Sequence, residues 1–251
     1  MTAFFRCAVA AASLTLLPLA ASAADFTKKQ RAEIGQIVHD YLLANPELLV
    51  EVSKELDKRQ KDAEDKQRND AVARNADQIF RESIDLVAGN PKGDVTMVEF
   101  FDYNCAWCKK GLPEVLKLID GDKNLRLVMK EFPIFGEESE YAARAALASR
   151  KQDKYWPFHL AMLGHAGKVN KAAVDQIAKD VGLDLAQLKQ DMEAPEVRET
   201  ITRNQKLAED LAITGTPAFV IDKTVIPGYL PADGLAAVIK DVRDGGGCAV
   251  C

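Results

Sequence analysis

Between Phe26 and Ser83 apolar residues recur every three or four positions: Ile34, Ile37, Val38, Tyr41 and Leu42 make one stripe, the pattern of an amphipathic helix. Asn45-Pro46 ends it, because the residue before a proline avoids helical backbone, and Pro46 suits the first turn of a second helix. Leu48, Leu49, Val52 and Leu56 carry the seam onward. From Asp57 to Asp70 only Ala63 is neither charged nor an amide. A helix polar all round is not held by packing and bridges solvent between folded parts. Two short amphipathic helices lack a core of their own, so their stripes need cover from the rest of the chain or from copies in other subunits. The charged stretch separating the stripe from the rest of the chain favours the copies. Heptad quality fades after Leu56, which excludes a long continuous coiled coil.

A second regime begins after the turn cluster Gly89-Asn90-Pro91-Lys92-Gly93, a natural domain boundary. Val95 to Phe101 is β-branched and aromatic, a short buried strand. A helix with the stripe Leu112, Val115, Leu116 and Ile119 comes next, then the turn Gly121-Asp122 and a second strand from Leu125 to Phe132. Strand, helix and strand at this spacing form a βαβ unit with a parallel pair. Glu137 to Leu211 reads as helix throughout. Asn170 fits an N-cap with Val169 and Val174 as its hydrophobic staple, and Gly182 fits the stop after that helix. Asp184 and Gln187 fit a capping box, and Pro195 the start of the next helix. Strand character returns at Ala218-Phe219-Val220-Ile221, turns at Asp222-Lys223 and runs through Thr224-Val225-Ile226 to Pro227-Gly228, a hairpin. A last helix carries Leu235, Val238, Ile239 and Val242. Gly245-Gly246-Gly247 is expected to end order ahead of Cys248-Ala249-Val250-Cys251.

Met1 to Ala23 has the three parts of an export leader: Arg6, the apolar stretch Cys7 to Leu19, and the small residues Ala21-Ser22-Ala23, with cleavage expected near Ala23. The formal net charge is −5, and losing Arg6 makes it −6, which excludes nucleic acid as a natural partner. Four of the five cysteines remain after cleavage, as two Cys-x-x-Cys pairs in an exported chain, where disulfides persist.

The first pair sits where a strand meets a helix. Cys105 falls at a helix N-terminus, where unpaired N–H groups and the helix dipole favour an anion, and the thiolate is the nucleophile of sulfur chemistry. Cys108 lies one turn on, able to close an intramolecular disulfide. Cys105 is expected to attack and Cys108 to resolve, with Ala106-Trp107 as the intervening dipeptide. Two plainer readings are half of a zinc site and an inert disulfide. The three histidines, His39, His159 and His165, fall at no ligand spacing, so no metal is assigned. Glu99 is a charge inside an apolar run, costly unless it is paired or moves protons; Lys130 is either its partner or a solvated residue. Cys248 and Cys251 are either a secondary redox pair or an inert oxidised tail.

The run Glu99-Phe100-Phe101-Asp102-Tyr103-Asn104-Cys105-Ala106-Trp107-Cys108, the position of the helical insertion, and Gly215-Thr216-Pro217-Ala218-Phe219 together resemble the DsbA-like thioredoxin-fold oxidoreductases over roughly residues 94–243. The resemblance implies a cis Thr216-Pro217 bond beside the active sulfurs that receives an extended substrate segment, and a role for Glu99 in proton transfer at Cys108. Ala106-Trp107 differs from the Pro-His of DsbA, which implies a less acidic Cys105 and a less oxidising disulfide. Thr216 is more like the residue of the disulfide isomerases. The N-terminal helices resemble those of ScsC-type periplasmic isomerases, which implies a homo-oligomer, a trimer by that likeness. The chain is thus expected to be α/β: a leader at 1–23, a helical oligomerisation segment at 24–88, a thioredoxin-like domain at 89–244 with a helical insertion at about 137–212, and a glycine-rich tail at 245–251. The expected function is periplasmic thiol:disulfide exchange on misfolded or reduced exported proteins, as isomerase or reductase, with a membrane redox partner and no cofactor. The rivals are a monomeric dithiol oxidase and, from another class, a Cu(I)-binding protein.

Overall fold

The computed structural model describes residues 26–251; the expected leader lies outside the described residues. The chain divides into a unit up to Lys58 and a unit from Arg59 to Cys251. In the first unit, helix α1 (Lys28–Ala44) opens with a capping box in which Thr27 and Gln30 bond each other's backbone N–H, and Asn45 closes it by donating to Tyr41 O. Helix α1 buries none of its residues. Ile37, Val38, Tyr41, Leu49, Val52 and Leu56 are all more than half exposed within the single chain. Helix α2 (Glu47–Arg74) begins here as well, so the amphipathic seam and the charged stretch share one helix.

The second unit is built on five strands: β1 (Leu86–Gly89), β2 (Val95–Phe101), β3 (Leu125–Glu131), β4 (Ala218–Ile221) and β5 (Thr224–Pro227), in the order β1-β3-β2-β4-β5. Strands β2 and β3 are parallel, as the βαβ spacing requires, and every other pair is antiparallel. Period-two alternation assigns the faces. Val95, Met97 and Phe101 join one core with α4 (Ala106–Gly121), the inserted helices and α10 (Ala232–Asp244). Val98, Phe100 and Val128 join the other, closed by Ala71 and Val72 of α2, Ile79 and Phe80 of α3 (Ala76–Phe80), and Leu207 and Ala208 of α9 (Pro195–Asp210).

The boundary expected at Gly89 therefore runs through the sheet. Strand β1, whose short apolar run Leu86-Val87-Ala88 the sequence reading passes over, pairs with β3, and residues 71–80 supply core. Gly93 is required there, because a Cβ would sit 2.4 Å from the Asn124 carbonyl oxygen.

The insertion comprises α5 (Glu137–Ser149), a 3₁₀ turn (Arg150–Gln152), α6 (Tyr155–Gly164), α7 (Lys171–Asp180), α8 (Leu185–Asp191) and α9. Asn170 caps α7 through Ala173 N–H, and Pro195 occupies the first turn of α9. The capping box expected at Asp184 is only half formed. Asp184 accepts from Gln187 N–H, but the Gln187 amide turns to Asp191 and the Asp184 N–H donates to Gln152 instead.

The tail also differs from expectation. Gly246 and Gly247, at φ +103° and +97°, reverse the chain after α10, and Val250 and Cys251 pack against the second core. Order does not end at the glycines, because Asp222 and Arg81 supply hydrogen-bond partners for the tail backbone.

Candidate active site

Cys105 is the N-cap of α4: its sulfur accepts the Cys108 N–H at 3.3 Å, so a helix-terminal donor that would otherwise be orphaned points at the sulfur. Its thiol lies 3.1 Å from the Thr216 carbonyl oxygen. The Thr216-Pro217 bond is cis, and β4, paired to β2 with Phe100 opposite Ala218, holds that loop against the start of α4. The hydrogen bond from the Cys108 side chain, joined by the N–H groups of Cys108 and Trp107, outweighs burial and lowers the Cys105 thiol to about 6. Cys108 faces the opposite balance. Burial, its bond to Cys105, and the nearby Glu99 and Cys105 charges push its thiol far up. Two sulfurs three residues apart thus differ sharply in acidity, and both are reduced thiols here.

Glu99 is 3% exposed and lies on the face of β2 under α4, between Met97 and Phe101. Burial first, and the Cys105 thiolate second, raise its carboxyl to about 8. Lys130 is neither its partner nor a solvated residue, which corrects both expectations. It lies opposite Phe100 in the register, on the other face of the sheet from Glu99, fully buried and bonded to Asp85 Oδ2 at 2.5 Å and to the Gln78 carbonyl. With Arg126, which donates to Phe80 O at 2.8 Å, it caps the carbonyl end of α3. Burial outweighs Lys130 at Asp85 and brings that carboxyl to about 6.

The loop entering Cys105 is held by Asp102 and Asn104, two residues of the Glu99 to Cys108 run to which the sequence reading gives no role. Asp102 accepts from Asn104 N (2.7 Å), Ile134 N (2.7 Å), Phe135 N (3.1 Å) and the Ser139 hydroxyl (2.8 Å). Asn104 bonds the Val169 N–H at 2.8 Å and also donates to Ser139, so the insertion is locked to the segment carrying the nucleophile. Behind it, Tyr103 and Tyr155 both donate to Glu131 Oε1, at 3.0 and 2.5 Å. His159 Nδ1 lies 3.1 Å from the Tyr103 hydroxyl. Burial raises the Glu131 carboxyl well above the usual carboxylate range, against the pull of the two tyrosine hydroxyls, and lowers His159 to about 3, so the imidazole is neutral near pH 7. The signal available for Glu131 is the same one that singles out Glu99, an acid within a buried apolar run. Around the sulfurs the rim is apolar and exposed: Trp107, Ile134 and Phe135, with Trp107 against Tyr229 at 5.5 Å and the Lys110 ammonium over both rings.

Cys248 and Cys251 form a disulfide at Asp222, beyond the end of β4 distant from Cys105. The register runs from Phe100 opposite Ala218 to Met97 opposite Ile221, so the two cysteine pairs flank opposite ends of the sheet and the tail as docked does not reach Cys105.

Residues 96–240 match the model of the DSBA-like thioredoxin domain. The chain belongs to the DsbA-like thioredoxin family. Residues 30–63 match a second model, the copper resistance protein ScsC N-terminal domain. Among solved structures this DsbA-like chain is similar to a thioredoxin-like oxidoreductase from Silicibacter pomeroyi, at 48% identity and TM-score 0.66, covering 67% of this chain and 97% of that one. It is also similar to Proteus mirabilis ScsC in a transitional conformation, at 26% identity and TM-score 0.65, covering 89% and 100%. The thiol-disulfide exchange protein alpha-DsbA2 of Wolbachia pipientis gives 27% identity and TM-score 0.67, covering 72% and 98%. Curated relatives of this chain include a Na(+)/H(+) antiporter NhaA 1 of Salinispora arenicola, at 27% identity over 64% of this chain and only 25% of that protein's length. Among the described residues no helix is long and apolar enough to cross a membrane.

Proposed function

We propose that this DsbA-like chain is a thiol:disulfide exchange enzyme acting on misfolded or reduced exported proteins, and that it works chiefly as an isomerase or reductase in the periplasm. The observation that carries the reading is the pairing of an acidified, helix-capping Cys105 with a buried, proton-retaining Cys108 over Glu99. The Cys105 thiolate attacks one sulfur of a substrate disulfide. A Cys105–substrate bond forms, the substrate S–S bond breaks, and the second substrate sulfur leaves as a thiolate. In isomerisation that thiolate attacks another substrate disulfide, and the new thiolate that results displaces Cys105. In reduction Cys108 loses its proton to Glu99 and attacks Cys105, which closes the Cys105–Cys108 disulfide and frees the substrate thiol. A carboxyl held at about 8 can both take and return a proton near neutral pH, which is what such a shuttle requires. A membrane redox partner then restores Cys105 and Cys108. Thr216-Pro217 receives the extended substrate segment beside Cys105, and the apolar rim of Trp107, Ile134 and Phe135 suits unfolded chain.

The exposed stripe of α1 and early α2, together with the match to the ScsC N-terminal domain, supports a homo-oligomer through those helices, with the trimer favoured by resemblance. Linking several catalytic domains raises their effective concentration around one substrate. Reactivation of scrambled ribonuclease, with the whole mature protein and with a form starting at Arg59, tests the reading. Isomerase activity lost in the shorter form while dithiol oxidation persists supports it; equal isomerase activity in both forms counts against a role for the helices, and dithiol oxidation with no isomerase activity in either form returns the chain to a monomeric oxidase. The copper-resistance description of the second family model keeps Cu(I) binding by reduced Cys105-Cys108 as the reading from another class, tested by copper titration in the absence of any exchange activity.

A further inference from the structure

The docked tail is unused by the exchange chemistry. Asp222 turns the β4–β5 hairpin at φ +48°, and its Oδ1 accepts from Ala249 N at 2.7 Å and Val250 N at 3.1 Å, with Cys248 Sγ at 3.7 Å. Arg81 Nη2 donates to the Val250 carbonyl at 2.8 Å. These bonds and the packing of Val250 and Cys251 seat the tail without help from the Cys248–Cys251 bond, which closes only a very short loop. The two sulfurs and the Asp222 carboxylate nonetheless lie within 4.8 Å of one another, half-buried, and form a group of possible metal ligands among the described residues.

We propose that Cys248, Cys251 and Asp222 are a redox-gated zinc site: closed while the disulfide stands, and open once a dithiol has reduced it. In that step the disulfide takes two electrons and two protons and the dithiol leaves as its own disulfide; zinc then displaces the two thiol protons. The donor set selects the ion. Magnesium and calcium avoid sulfur, and Cu(I) is satisfied by two thiolates and has no use for a carboxylate, whereas zinc takes both. A tetrahedral zinc with Zn–S of about 2.3 Å and Zn–O of about 2.1 Å spaces its ligand atoms roughly 3.6–3.8 Å apart, a spacing inside the 4.8 Å over which the three ligand atoms already lie. The fourth position is left for water. Two thiolates and a carboxylate exceed the ion's charge by one, and Arg81, bonded to the tail carbonyls and shared with Asp77, is the cation on that segment.

The full chain carrying Cys7→Ser, Cys105→Ser and Cys108→Ser keeps thiols only at Cys248 and Cys251. Zinc is titrated against a chromophoric chelator, before and after reduction by a phosphine, and cobalt(II) is used to report thiolate ligation by its absorption. One equivalent of zinc per reduced chain, none per oxidised chain, a loss of roughly 10-fold or more in affinity in Asp222→Asn, and thiolate-to-cobalt absorption are expected. No zinc uptake on reduction, uptake unchanged in Asp222→Asn, or retention of Cu(I) with no retention of zinc overturns the assignment.

Discussion

Replacing Cys108 by alanine tests what holds the Cys105 thiolate. The hydrogen bond from the Cys108 side chain is the largest contribution bringing Cys105 to about 6. A hydrogen bond to a charged group is worth ~1.5–3 kcal/mol and one pKa unit ~1.4 kcal/mol, so its loss raises Cys105 by roughly one to two units. The Cys108 backbone N–H at 3.3 Å survives the substitution, so the thiol does not return to the value of a free cysteine. At pH 6 about half of the parent Cys105 is thiolate, against ~3% after a rise of ~1.5 units. The more basic thiolate is ~5-fold more nucleophilic once ionised. Alkylation of Cys105 in Cys108→Ala is therefore ~3-fold slower than in the parent at pH 6 and ~5-fold faster at pH 9, and the two profiles cross. Iodoacetamide labelling of the reduced full chain from pH 5 to 9.5, read by mass spectrometry on the Cys105 peptide, measures this. Superposable profiles, or a parent midpoint above 8, would refute the account of the site. Faster labelling of Cys108 than of Cys105 in the parent would reverse their roles.

Glu99, raised above its unfolded value of 4.5 to about 8, makes the folded state bind the extra proton, so its contribution to stability falls as pH rises between those values. Glu99→Gln flattens that stretch of the stability–pH curve and slows resolution of the mixed disulfide; an unchanged curve counts against a buried Glu99. Lys130→Met strands the buried Asp85 carboxyl and costs ~3–5 kcal/mol in urea unfolding, most of it recovered by adding Asp85→Leu. A cost below ~1 kcal/mol for the single change would show that the pair is not buried as described. Removing residues up to Lys58 leaves a folded monomer by light scattering, whereas removal through Ala88 takes away β1, α3 and part of a core and lowers the melting temperature sharply; equal melting temperatures would contradict the placing of residues 71–89 in the second unit.

Local pattern was enough for the strand–Cys-x-x-Cys–helix unit, the parallel pair, the helical insertion and the hairpin, because each depends on residues near one another in sequence: period-two runs, caps, Gly and Pro. The placing of Cys105 at the start of a helix with Cys108 one turn on was legible for the same reason. What needed the tertiary structure was anything set by contacts between distant segments. Strand β1 has no buried face of its own to advertise it, and only its pairing with β3 makes it a strand. Lys130 and Glu99 lie on adjacent strands one register position apart, and alternation sends them to opposite faces, so a charge pairing that looked natural along the chain is impossible in the sheet. The Tyr103–Glu131–Tyr155–His159 cluster draws on separate segments of the chain. The tail, glycine-rich and too short to form an element of its own, is ordered by Asp222 and Arg81, which lie 26 or more residues away in sequence. Backbone donors and acceptors find partners wherever the fold brings them, and a sequence read locally carries no record of where that is.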